Sequence, residues 1–109
     1  MTDLHELIAV LKRFRDERDW EQFHNAKDLA LAITIEAGEL LELFLWKSAD
    51  EADSSKVKQE LADVFIFALL LAEKYHFDVN QIVLEKIKIN EGNYPTNKAK
   101  GTSKKYTDL

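Results

Sequence analysis

The sequence predicts an all-α fold, a four-helix bundle-like arrangement, and three observations carry that prediction. Apolar residues recur at i, i+3, i+4 and i+7 through four separate segments. Glycine and proline are almost absent from the first ninety positions, where Gly38 stands alone. Nowhere do apolar and polar side chains alternate with the period of two that a half-buried strand requires.

The first helix is expected from about Asp3 to Arg18, with Leu4, Leu7, Ile8, Leu11 and Phe14 at helical spacing. Asp3 and Glu6 offer a capping-box-like start. The linker "DWEQFHN" ends at Asn25, a good N-cap for a second helix reaching about Trp46. "KSADEADSS" is turn-like, and Ser54 or Ser55 can cap a third helix to about Tyr75. Asp78, with Gln81 three residues on, starts a fourth that fades near Gly92. The remainder, "NYPTNKAKGTSKKYTDL", reads as extended or loop, so residues 1–95 form the domain and 96–109 a basic C-terminal tail.

Composition sets the class. Hydrophobic residues make up 46% and charged residues 32% of the 109, which suits a soluble, ordered, helix-rich chain. No apolar run approaches the roughly 20 residues of a membrane span. The N-terminus has acids and no basic region before an apolar run, so it does not read as a signal peptide. Without cysteine there are no disulfides, thiolate metal sites or thiol nucleophiles, and a cytoplasmic protein is expected. The last fourteen residues hold four lysines and one aspartate, a local +3 in a chain of formal charge −5, which leaves −8 on the body. That overall sign disfavours general nucleic-acid binding. The tail is either a solvated end or a device for an anion.

The acids of the body are placed unusually. At 100° per residue, Leu29, Ile33, Leu40 and Phe44 share one face of the second helix, and Glu36 falls in its middle. Glu39 lies on the shoulder, while Glu42 is further round and reads as solvated. The third helix repeats the pattern: Val57, Val64, Phe67 and Leu71 form the face, Glu60 sits at its centre and Asp63 beside it. If these faces pack together, four carboxylates converge. Two unit charges about 4 Å apart repel by about 4 kcal/mol even at an effective dielectric of 20. A divalent cation is the best compensator, and an all-oxygen donor set favours Mg²⁺, with Mn²⁺ as the other fit. A single E-x-x-E is ordinarily a solvated helix face; two pairs centred on consecutive apolar stripes point to a metal site.

Other candidates are weaker by spacing alone. Lys86 and Asn90 border the apolar face of the fourth helix, where they either snorkel from a core edge or reach an anion. Trp20, Phe23 and His24 cluster in the first linker, and Trp46 ends the second helix. These rings either plug the core or stack on a planar ligand.

With these residues in view, the chain resembles the MazG-like all-α nucleoside triphosphate pyrophosphohydrolases, in particular their small dCTP pyrophosphatase branch. The paired motif E-x-x-E and E-x-x-D stands here as Glu36, Glu39, Glu60 and Asp63. "RDWEQFH", "EAGELLELFLWK", "ELADVFIF" and "KKYTDL" look like that branch across nearly the whole chain. The resemblance implies that the four acids bind Mg²⁺ and that a nucleoside triphosphate is cleaved to monophosphate and pyrophosphate, a pool house-cleaning reaction. It further implies that Trp20, His24, Trp46 and Phe67 surround the base. Lys86 and Asn90 would contact phosphates or sugar, and Tyr94, Lys98, Lys104, Lys105 and Tyr106 would bring the tail over the phosphates. Asn93 stands where relatives often have arginine before "YP", and Phe67 where they often have tyrosine, so base preference (dCTP, dUTP or dATP) stays open. A non-enzymatic metal- or nucleotide-binding helical oligomer is the alternative of another class.

The second helix is apolar nearly all round, with Ile35, Leu41, Leu45 and Trp46 outside the Glu36 face. Phe65, Ile66 and Leu69 are similarly placed on the third. A partner subunit is expected to cover them, giving a homo-oligomer, either a dimer or a dimer of dimers.

Overall fold

A computed structural model describes residues 3–109, and among these residues every regular element is helical. The chain forms two compact units, one ending at His76 and the other spanning Phe77–Leu109. The first holds α1 (Leu4–Glu17), α2 (Ala26–Glu42) and α3 (Ser54–Lys74). The second holds α4 (Val79–Asn93) and the short α5 (Thr96–Ala99). Among the described residues no helix is long and apolar enough to cross a membrane.

The helix starts follow local side-chain chemistry. Asp3 accepts from the Glu6 N–H at 2.8 Å, Asn25 from Asp28 at 2.9 Å and Asp78 from Gln81 at 3.0 Å. Each such cap is worth about 1 kcal/mol. The cap of α3 is Asp53, which accepts from the Ser55 N–H at 2.9 Å, rather than the expected Ser54 or Ser55. Both serines lie inside the first turn, because the aspartate ahead of them reaches the free N–H groups first.

α2 stops four residues short of the expected Trp46. After Glu42 the chain winds more tightly, with the Leu43, Phe44 and Leu45 N–H groups donating three residues back. Trp46 then adopts a left-handed backbone, φ 62°, which ends the winding without a glycine.

α3 packs against both α1 and α2. Leu29 of α2 is 2% exposed, and Leu69, Leu70 and Ala72 of α3 are buried with it. Leu69 therefore needs no partner subunit, and Ile66 is half-buried; α1 covers the face on which they lie, and Lys12 ties α1 to α3 through Glu73 at 3.1 Å.

In the second unit, the segment after Asn93 is not wholly extended or loop, as expected, but carries two short helical turns. Pro95 holds φ at −63°, and its carbonyl accepts from both Lys98 and Ala99 at 2.9 Å, nucleating α5. Gly101, at φ 81°, ends that turn. A 3₁₀ turn over Tyr106–Asp108 brings Tyr106 edge-on to Tyr94, with ring centroids 5.8 Å apart.

Candidate active site

The α2–α3 interface brings the expected carboxylates together. One ligand atom each from Glu36, Glu60 and Asp63 lies within 4.8 Å of the others, and all three residues are half-buried. Glu39 is exposed at the edge, close enough to act on both Glu36 and Glu60. Leu29, Ile33, Leu40 and Phe44 flank Glu36 and fix the face on which it sits, and all four are buried or half-buried. Glu42 is exposed, off that face.

The electrostatics of the cluster are those of acids crowded without a base. Burial first, and then the Glu39 carboxyl, raise Glu36 from an ordinary 4.5 to about 7. Its other charged neighbours, Asp63 and Glu60, are acids too. Glu60 is likewise raised, by burial and then by Glu39. Oε2 of Glu36 and Oε2 of Glu60 are shut off from solvent without a hydrogen-bond partner among the described residues. A buried acceptor left unsatisfied costs free energy unless something outside the chain completes it. Two such oxygens in one oxygen-only cluster fit a hard divalent cation.

Beside the cluster lies a small pocket of about 260 Å³, walled by Leu11, Phe14, Trp20, Ile66, Phe67 and Leu70. Asp63 lines it as well, so the pocket and the cluster share a wall. The end of α1 shapes the opposite side. Asp19 takes a left-handed backbone, φ 54°, while the Trp20 N–H donates to the Arg15 carbonyl at 3.1 Å and the Asp19 N–H to that of Asp16 at 3.1 Å. These two bonds make a Schellman motif, closed here by aspartate instead of glycine. The reversal folds Trp20 back onto Phe14, edge to face at 5.8 Å, and Arg18 covers the Phe14 ring at 3.7 Å.

Two polar side chains complete the pocket, His24 and Arg15. Burial, reinforced by the positive charges of Arg15 and Lys74, pushes the His24 imidazole below its ordinary range, so it is neutral near pH 7. Its Nδ1 is buried without a partner. Arg15 is 6% exposed; its Nε donates to Asp16 Oδ1 at 2.8 Å, and that bond holds the guanidinium charged. Sequence reasoning passed over Arg15, although it continues the stripe Leu4, Ile8, Leu11 one turn further. In "RFRDERDW" it stands among other charged residues, which gives it no distinguishing mark.

Trp46 is the remaining candidate of the first unit, and the others belong to the second. Trp46 is 99% exposed on its left-handed turn and lines neither the cluster nor the pocket. Lys86 and Asn90 lie one turn apart on α4, both exposed. Lys98, Lys104 and Lys105 are exposed along the tail of the second unit, where Tyr94 and Tyr106 pack together.

Known proteins resemble this chain in sequence and in fold. Residues 31–109 match the model of the MazG-like family. The mouse protein dCTP pyrophosphatase 1 is 40% identical over 97% of this chain and 67% of its own length, and the human one is 39% identical over the same shares. A crystal structure of a pyrophosphatase from Archaeoglobus fulgidus superposes with a TM-score of 0.81 at 37% identity, over 87% of this chain and 94% of that one. The family match spans most of the chain, and the curated relatives extend it through α1 and the pocket, so the chain belongs to the MazG-like family.

Proposed function

We propose that the protein is a Mg²⁺-dependent nucleoside triphosphate pyrophosphohydrolase whose substrate is dCTP or a closely related deoxynucleotide. The observation that carries this is the Glu36–Glu39–Glu60–Asp63 cluster, with two buried oxygens that no base or donor among the described residues compensates. The mouse and human relatives named dCTP pyrophosphatase 1 support the reaction and the base class.

Glu36, Glu60 and Asp63, with Glu39 at the edge, would hold the cation, which supplies neutralisation of the triphosphate charge. Water adds to phosphorus as the anhydride bond between the α- and β-phosphates breaks, and a cluster carboxylate takes its proton. The products are a nucleoside monophosphate and pyrophosphate. The pocket beside Asp63 takes the base: its volume suits one planar ring rather than a whole nucleotide, and Trp20, His24 and Phe67 border it. Lys86, Asn90 and the lysines and tyrosines of the tail act on the phosphates or sugar, as their charge and donors allow.

A homo-oligomer completes the proposal, a dimer or a dimer of dimers. Ile35 is 60%, Leu41 63% and Phe65 58% exposed within one chain, and Trp46 projects beside them in sequence. A second subunit would cover this apolar surface and could bring Trp46 to a neighbouring base. Such nucleotide chemistry is at home in the cytoplasm.

The test is pyrophosphate release across common deoxynucleoside and nucleoside triphosphates, with Mg²⁺ and with chelator. Metal-dependent product from dCTP is expected. No product from any triphosphate would leave the non-enzymatic alternative standing.

A further inference from the structure

The pocket holds one residue out of character with its walls. A guanidinium 6% exposed among Leu11, Phe14, Trp20, Ile66, Phe67 and Leu70 needs a reason to be there. Its charge is already balanced outside the pocket by sequence-local acids. Nε is engaged by Asp16 at 2.8 Å, and Nη2 lies 3.8 Å from Glu21, too far for a hydrogen bond. Among the described residues neither Nη1 nor Nη2 has a hydrogen-bond partner, and Arg15 lines the pocket, so these donors are available to what fills it. Arginine has donors in a rigid planar fork and no acceptor at all.

We propose that Arg15 is the specificity-determining residue of the pocket, its two Nη groups donating side by side to O2 and N3 of a cytosine ring. Those two atoms are adjacent, coplanar acceptors, which matches the fork. Uracil and thymine carry a hydrogen on N3, so the same approach sets donor against donor. Guanine presents an N–H at the equivalent edge. Adenine offers a lone acceptor beside an amine, and purines crowd a 260 Å³ space. A buried site that must pair its own donors rejects the ligand that leaves them unpaired far more strongly than a hydrophobic slot rejects a change of size. Asp16 fixes the fork through Nε, and a ring seated among the surrounding apolar side chains would displace the solvent that reaches Nη1 and Nη2.

This inference rests on the pocket being the base site, and binding is measured apart from hydrolysis so that the two can fail separately. Titration calorimetry with dCMP and dUMP, in Mg²⁺, is run on the full chain and on Arg15→Met and Arg15→Lys, with pyrophosphate release from dCTP and dUTP alongside. The unaltered protein should bind dCMP about 10- to 100-fold more tightly than dUMP. Arg15→Met should bring that ratio close to one. Arg15→Lys, which keeps the charge but lacks the fork, should fall between. Should Arg15→Met fail to fold by circular dichroism, the Arg15→Lys ratio decides. Equal binding of dCMP and dUMP by the unaltered protein, or parallel losses for both ligands in the variants, would overturn the proposal. A cytosine preference that depends on Arg15 but comes without hydrolysis would sustain it and refute the enzymatic function instead.

Discussion

Glu36 on α2 and Glu60 on α3 face one another across the helix interface, and each buries an Oε2 that has no hydrogen-bond partner among the described residues. Both sit at the centre of an apolar stripe, so the packing that stabilises the helices also forces the two acids together. That conflict is relieved by a proton or by a cation, and its consequences are measurable.

Removing one member should separate catalysis from folding. Glu60→Ala is expected to cut pyrophosphate release by about 100-fold or more while the far-ultraviolet circular dichroism stays helical. The cation-free variant should melt no lower than the parent near neutral pH, since a crowded acid has gone. Retained turnover would displace Glu60 from the metal site.

The pH dependence has a definite sign. Glu36 titrates at about 7 in the folded chain against an ordinary 4.5, so ionisation disfavours the folded, cation-free protein. Its stabilising contribution is fully present below about pH 4.5 and is lost as pH rises through about 7. Melting temperature in chelator should accordingly fall across that window, and saturating Mg²⁺ should restore it. A rise in chelator over the same window would contradict the cluster's assignment.

Cation binding should release protons. A ligand carboxyl must be ionised, so Mg²⁺ affinity should strengthen as pH climbs towards and past about 7 and then level off. Calorimetry in buffers of different ionisation enthalpy reads the proton directly. Identical heats in all buffers near pH 6.5 would mean that the site is already deprotonated.

Truncation tests the tail. Deletion after Thr96 removes Lys98, Lys104, Lys105 and the Tyr106 ring that packs on Tyr94. KM for dCTP should rise about tenfold, or kcat should fall, if these groups serve the phosphates. Kinetics identical to the full chain would leave the tail a packing element only.

Paired substitution tests assembly. Ile35→Glu with Leu41→Glu places charges on an exposed apolar face of α2. Light scattering should give a dimer or tetramer for the parent and single chains for the double variant. A monomeric parent would refute the subunit interface.

The helices and the acidic cluster were legible in the sequence because both follow from a 3.6-residue period. Glu36 and Glu60 announced themselves by falling where leucine or valine belonged. Caps were legible where a lone Asn25 or Asp78 preceded the helix, and missed where Asp53 competed with two serines. The end of α2 was not legible, since "LFLW" has no breaker and the stop is a left-handed tryptophan. Arg15 escaped because arginine is so seldom buried, and the acids that permit it, Asp16 and Glu21, look like ordinary surface neighbours. Leu69 and Ile66 were assigned to a partner because a helical wheel does not show that α1 returns over them.

Asp63 belongs at once to the wall of the pocket and to the carboxylate cluster. If a ring seated in the one shifts Asp63, it also alters the other, and that coupling runs both ways. Whatever factor a bound ring contributes to cation affinity, the cation must return to the ring's affinity. A wrong base, seated poorly against Asp63, would then lower the fraction of sites carrying metal. Discrimination would be exercised partly through the ion, before any bond is broken.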